Sequence, residues 1–85
     1  MKVIIEKRVI KSLGRMPLHV SEKVYSAAKL LEQYPKIRTD LEKLGSGVYR
    51  MRIGDYRIIF MVYNEQELIV IIEVAARGNV SYSKG

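Results

Sequence analysis

Two runs of β-branched and aromatic residues, Val48–Ile53 and Tyr56–Tyr63, are separated by nothing but Gly54-Asp55. No other stretch of the chain restricts the fold as much. A two-residue link sends the second run back antiparallel along the first, and glycine at its first position suits the type II′ turn, whose twist matches that of paired strands. The hairpin therefore carries a register: with Ile53 opposite Tyr56, Met51 lies opposite Ile58 and Arg52 opposite Arg57. Side chains alternate faces along a strand. Arg50, Arg52 and Arg57 thus share one side, and Tyr49, Met51, Ile53, Tyr56, Ile58, Phe60 and Val62 the other. A third run, Leu68–Ala75, follows a turn at Asn64–Glu67. Pairing Tyr63 with Leu68 sets Tyr56 opposite Ala75 and brings Glu73 onto the apolar side opposite Ile58, at the rim or in an ion pair.

Upstream, Lys2–Ile5 is short and β-branched and reads as a strand. From Lys7 the period becomes helical, with Val9, Ile10, Leu13 and Met16 apolar and Lys7, Arg8, Lys11 and Arg15 between them. Pro17 ends this basic helix. A second helix from Leu18 to about Gln33 carries one stripe, Val20, Val24, Ala27, Leu31 and Tyr34. Residues 35–47 read as a polar connection with room for a helical turn at Asp40–Leu44, broken by Gly45-Ser46-Gly47. The polar tail from Ala76 to Gly85 is expected to be loosely held. The order is β-α-α-β-β-β in a single domain, residues 1–85: an α+β fold with an N-terminal helical hairpin packed on the face of an antiparallel sheet opposite the arginines.

Composition narrows the chemistry. The chain has no cysteine and one histidine, His19, which leaves no disulfide and no Cys/His metal site, and no cofactor is expected. No apolar run approaches the ~20 residues of a membrane span and no secretory signal opens the chain, so the expected compartment is the cytoplasm. The net charge of +6 points to a polyanion. Residues 1–16 account for a net +4 of it, suited to general electrostatic attraction rather than to a defined site. Two arginines directly opposite one another on neighbouring strands repel. A third on the same face suggests a held phosphate, to which guanidinium offers a planar fork of donors; by spacing alone the cluster reads equally as a solvated face. Arg77 leaves the last strand at the same end, and Tyr82 follows on the tail, where it either reaches the cleft or covers apolar surface. Beyond the arginines the same face carries Ile59, Met61, Val70, Ile72 and Val74, with no second helical layer to cover them. A protein partner or the chain's own tail would fill that role.

The segment Lys43-Leu44-Gly45, then Val48-Tyr49-Arg50-Met51-Arg52-Ile53-Gly54-Asp55-Tyr56-Arg57-Ile58-Ile59-Phe60, resembles the signature of the RelE/ParE superfamily of toxin–antitoxin systems. Ala75-Ala76-Arg77-Gly78 continues it, most like archaeal members of the RelE branch, and the likeness runs along nearly the whole chain. The resemblance implies a RelE-like, microbial-ribonuclease-like fold and a metal-independent endoribonuclease (an mRNA interferase). Such an enzyme cleaves mRNA in the ribosomal A site, so its partners are the 70S-type ribosome, mRNA and rRNA, and a RelB-type antitoxin silences it. It implies RNA-binding roles for Lys43, Arg50 and Arg52, and catalytic roles for Arg52, Arg57, Arg77 and Tyr82. Arg57 would stabilise the pentacoordinate phosphate, Arg77 the transition state or leaving group, and Tyr82 would orient the nucleotide. The antitoxin would cover Ile59, Met61, Val70 and Ile72. No general base is identifiable: arginine, with a pKa above about 12, is a poor one, and where the family often has histidine this chain has Ala76. The competing readings are a ParE-like poison of DNA gyrase, which cuts no RNA, and an inactive relative kept as a binding module. The arginine set favours the nuclease.

Overall fold

A computed structural model describes residues 1–37 and 39–76. Strand β1 (Lys2–Ile5) is followed by helices α1 (Lys7–Leu13) and α2 (Leu18–Leu31), then strands β2 (Leu41–Gly45), β3 (Val48–Ile53), β4 (Tyr56–Tyr63) and β5 (Leu68–Ala76). The five strands form one sheet in the order β1-β5-β4-β3-β2, with β1 parallel to β5 and every other pair antiparallel. The α+β class and the helical hairpin on one face hold, but the sheet has one strand more than the sequence suggests and is mixed rather than antiparallel throughout, because β1 runs parallel to β5.

That extra strand is β2. Residues 41–45 are paired with β3 as an edge strand where a polar connection and a helical turn were expected. The turn of this hairpin is Ser46-Gly47, between Gly45 at the end of β2 and Val48 at the start of β3. Gly47 takes φ +71°, and its carbonyl accepts the Val62 N–H at 2.8 Å. A Cβ at Gly47 would sit 3.2 Å from the Val62 carbonyl oxygen, whereas one at Gly45 would meet nothing within 4 Å. Gly47→Ala should therefore lose about 1–2 kcal/mol from its left-handed backbone, and Gly45→Ala, in a strand, should lose nothing. Urea unfolding of the two variants separates them.

The helices supply the core's upper layer. The α2 stripe is as the periodicity predicts: Val20, Val24, Ala27 and Leu31 are buried. Helix α1 is shorter than its pattern, stopping at Leu13, so that Val9 and Leu13 are buried while Ile10 lies 47% exposed. Beneath them lie Met51 of β3, Ile58, Phe60 and Val62 of β4, and Ile69, Ile71 and Val74 of β5. Phe60, on the central strand, is fully buried and stacks on Tyr49 at 5.7 Å between ring centroids. Tyr34 packs against Tyr49 from the end of α2, and its hydroxyl is held protonated above the usual 10.0 by the Tyr49 phenol and then by burial. It is part of the packing and not a proton carrier at neutral pH.

The hairpin register is as read from Gly54-Asp55: Ile53 faces Tyr56, Met51 faces Ile58 and Arg52 faces Arg57, with Gly54 at φ +57°. Tyr63 faces Leu68 as expected, but a bulge then shifts β5. Phe60 faces Ile71 and Ile59 faces Glu73, so Ile72 is the extra residue, Val74 faces Ile58 and Tyr56 faces Ala76. Three sequence expectations are thereby corrected, the first being the pairing of Tyr56 with Ala75. Val74 belongs to the core and Glu73 does not, because a bulge exchanges the faces of everything beyond it.

Candidate nucleic-acid interface

The face of the sheet away from the helices carries the arginines. Arg50 and Arg52 alternate with core residues along β3, and β4 returns Arg57 directly opposite Arg52. The three side chains line one depression of about 140 Å³ together with Asp40, Leu41 and Glu42 from the start of β2. Arg52 and Arg57 also line a smaller hollow of about 90 Å³ at the hairpin tip, with Gly54, Asp55 and Tyr56. Arg50 is paired with Glu42, which faces it across β2 and β3. Among the described residues Arg52 and Arg57 have no ion pair or hydrogen bond, so they present adjacent forks of donors to an incoming anion. A larger hollow of about 500 Å³ beside α2, lined by residues such as His19, Lys23 and Ile53, opens on the helix side and holds none of the arginines.

Lys43 is not brought to this cluster. It is exposed and faces Tyr49, whose side chain points to the helices, so it sits at the sheet's edge on the opposite face. Arg77 and Tyr82 lie outside the described residues. Of the four positions suggested for a protein partner, Ile59 is fully buried and offers no surface, while Met61, Val70 and Ile72 are half-buried. Ile72 is the bulge residue, and its carbonyl accepts a hydrogen bond from Arg8 Nη2 at 3.2 Å. Val48, Met61, Val70 and the exposed Ile4 form a single cross-strand row on this face.

The sequence reading missed Asp40, Glu42, Val48 and Ile4. The signal for Asp40 and Glu42 was the Gly-Ser-Gly break taken as a hairpin turn, which would have paired Glu42 with Arg50. Ile4 is legible only once β1 is known to lie beside β5. Among the described residues no three His, Cys, Asp or Glu side chains come together, and no helix is long and apolar enough to cross a membrane.

The small α+β domain thus carries its helices on one side of the sheet and three arginines on the other, of which Arg52 and Arg57 have no ion pair among the described residues. Residues 3–80 match the model of a family described as the ParE toxin of the type II toxin–antitoxin system parDE. A candidate toxin of Methanocaldococcus jannaschii, RelE1, is 34% identical, over 88% of each chain. The fold is similar to that of the archaeal RelE–RelB complex from Pyrococcus horikoshii OT3 (TM-score 0.78, 33% identity, 93% of this chain and 97% of that one). It is also similar to the isolated RelE toxin of E. coli (TM-score 0.71, 17% identity, 93% and 86%), a likeness of fold. The chain belongs to the RelE/ParE superfamily of type II toxins, on its RelE branch.

Proposed function

We propose that this toxin is a ribosome-dependent endoribonuclease that cuts mRNA in the ribosomal A site, and that a RelB-type antitoxin silences it. The observation that carries this reading is the Arg52–Arg57 pair, set side by side across β3 and β4 with Arg50 in the same depression. The repulsion of such a pair is relieved when an anion lies between the two groups. In the reaction a ribose 2′-oxygen attacks the adjacent phosphorus. The 2′-O–P bond forms as the 2′-hydroxyl gives up its proton, the P–O5′ bond breaks, and the departing 5′-oxygen takes up a proton, leaving a cyclic phosphate and a 5′-hydroxyl. Charge accumulates on the non-bridging oxygens in the transition state, and donors already fixed on a sheet stabilise that charge without reorganising.

Arg57, half-buried and next to the hairpin tip, serves the pentacoordinate phosphate, with Arg52 beside it and Arg50 binding the backbone of the RNA. Arg77 and Tyr82 are assigned to the leaving group and to orienting the nucleotide, on the likeness to the family alone. Lys43, on the opposite face, takes no part in holding the phosphate. The absence of an assignable base on the arginine set suits an enzyme that works within the ribosome and is feeble alone. Its place of action is the cytoplasm, on the 70S-type ribosome with its mRNA and rRNA, and it needs no metal. The relative from P. horikoshii is a complex with RelB. Here Met61, Val70 and Ile72 supply the apolar surface for such a partner.

The matching family model bears the ParE name, so gyrase inhibition is the reading to test against. A gyrase poison has no use for a phosphate-holding cluster, and the relatives at a third identity bear the RelE name. Primer extension on a translated message after induction separates the two. Codon-registered cuts that vanish when translation is blocked are expected. Intact mRNA with accumulated gyrase–DNA breaks would overturn the nuclease reading.

A further inference from the structure

A carboxylate in a phosphate-binding depression opposes the ligand it stands beside. Glu42 is nevertheless there, exposed on an edge strand and facing Arg50 directly. Arg50 Nε donates to Glu42 Oε1 at 3.1 Å, and Arg50 Nη2 is paired with the same oxygen. The Arg50 side chain is only 28% exposed, so its guanidinium is pinned from one edge and enclosed. A guanidinium has five N–H donors in a rigid plane. With two of them engaged by Glu42, the other three lie on the opposite edges of that plane.

We propose that Glu42 is a positioning residue for the RNA site. It fixes the plane of Arg50 so that the remaining donors meet the phosphate in one orientation, and it offsets one of three like charges so that Arg50, Arg52 and Arg57 can share a depression before RNA arrives. The proposal rests on the reading of that depression as a site for RNA phosphate. It separates two quantities that a simple electrostatic view ties together. Removing a negative charge should favour binding of a polyanion, but releasing Arg50 should harm the chemistry, which depends on placement at the scale of an ångström.

The test compares Glu42→Gln, which keeps the side chain's shape and removes its charge, with Arg50→Ala and the double variant. In the wild type the Arg50 Nε–H resonance should be slow to exchange with water; in Glu42→Gln it should exchange rapidly and move toward the position of a free arginine. Affinity for a short RNA blocked by a 2′-O-methyl group at the cleaved position should stay the same or rise. The rate of cleavage in a translating extract at saturating toxin should fall by about 10- to 100-fold, and Glu42→Gln should add no loss in the Arg50→Ala background. Glu42→Asp should restore part of the rate.

Faster cleavage by Glu42→Gln would make Glu42 a competitor of the phosphate and overturn the proposal. So would an equal loss in the Arg50→Ala background, since Glu42 would then act elsewhere. If the wild type itself cuts no translated message, the nuclease reading fails separately. The Arg50 resonance and the RNA affinity then decide: a resonance unchanged in Glu42→Gln, or RNA bound less tightly, overturns the positioning role.

Discussion

Arg57→Ala is expected to abolish growth arrest on induction while the protein stays folded and still binds its antitoxin. The side chain projects from the outer face of β4 between Arg52 of β3 and Ala75 of β5, and it makes no ion pair or hydrogen bond among the described residues. Truncation leaves no buried polar group without a partner. It also removes a like-charge contact across the strands, so stability should hold or rise by roughly 0.2–1 kcal/mol. The catalytic loss has a different origin. Removing one fixed donor to a developing oxyanion typically lowers the rate by about 10²–10³, and here the donor lost is one of the two that stand side by side across β3 and β4. Arg57→Lys should keep the charge but lose the planar fork, and so recover RNA affinity better than rate. On a single-stranded RNA, the alanine variant should reduce the salt dependence of binding by about 0.7 log units per log of salt, one phosphate contact. Growth arrest at the wild-type level from Arg57→Ala, in a protein of unchanged stability, would remove Arg57 from the mechanism.

Sequence alone placed the elements wherever a strong local rule applied. Gly54-Asp55 admits one hairpin register, and from that register the shared face of Arg50, Arg52 and Arg57 followed. The α2 stripe was legible because the four buried positions from Val20 to Leu31 repeat at helical spacing over about three turns. Both failures occurred where local rules were silent. Leu41–Gly45 is polar apart from its leucines and no longer than a helical turn, so nothing local distinguishes an edge strand from a connection. Its strand character comes from pairing with β3, a tertiary fact. That pairing in turn hid Glu42 and Asp40 from the site. The apolar run from Leu68 to Ile72 has apolar residues on both faces, and alternation loses its meaning there. The phase of the strand can then slip by one residue without a visible mark.

That slip gives the other large effect expected of a single substitution. Glu73 and Val74 are neighbours, and their faces depend wholly on whether Ile72 is looped out of the ladder. Strict alternation from Tyr63–Leu68 puts Glu73 in the core and Val74 outside. The observed pairing puts Val74, 7% exposed, against Ile58 and turns Glu73 to the outer face beside Ile59. Energetics favour the second arrangement. An ionised carboxylate buried without a partner costs several kcal/mol, which is a large part of the ~5–15 kcal/mol that holds a domain together. A single extra residue in an edge-proximal strand costs far less. Val74→Glu should therefore cripple folding, with a loss of more than about 4 kcal/mol or a carboxyl whose pKa rises until it is neutral. Glu73→Val should cost far less, because the position it fills is already beside apolar Ile59. Chemical denaturation of the two variants measures the difference directly. If Glu73→Val proved the more damaging and Val74→Glu harmless, β5 would be in the unbulged register. The outer row would then regain Val74, and the alignment of Arg57 with Ala75 at the edge of the arginine cluster would be off by one residue.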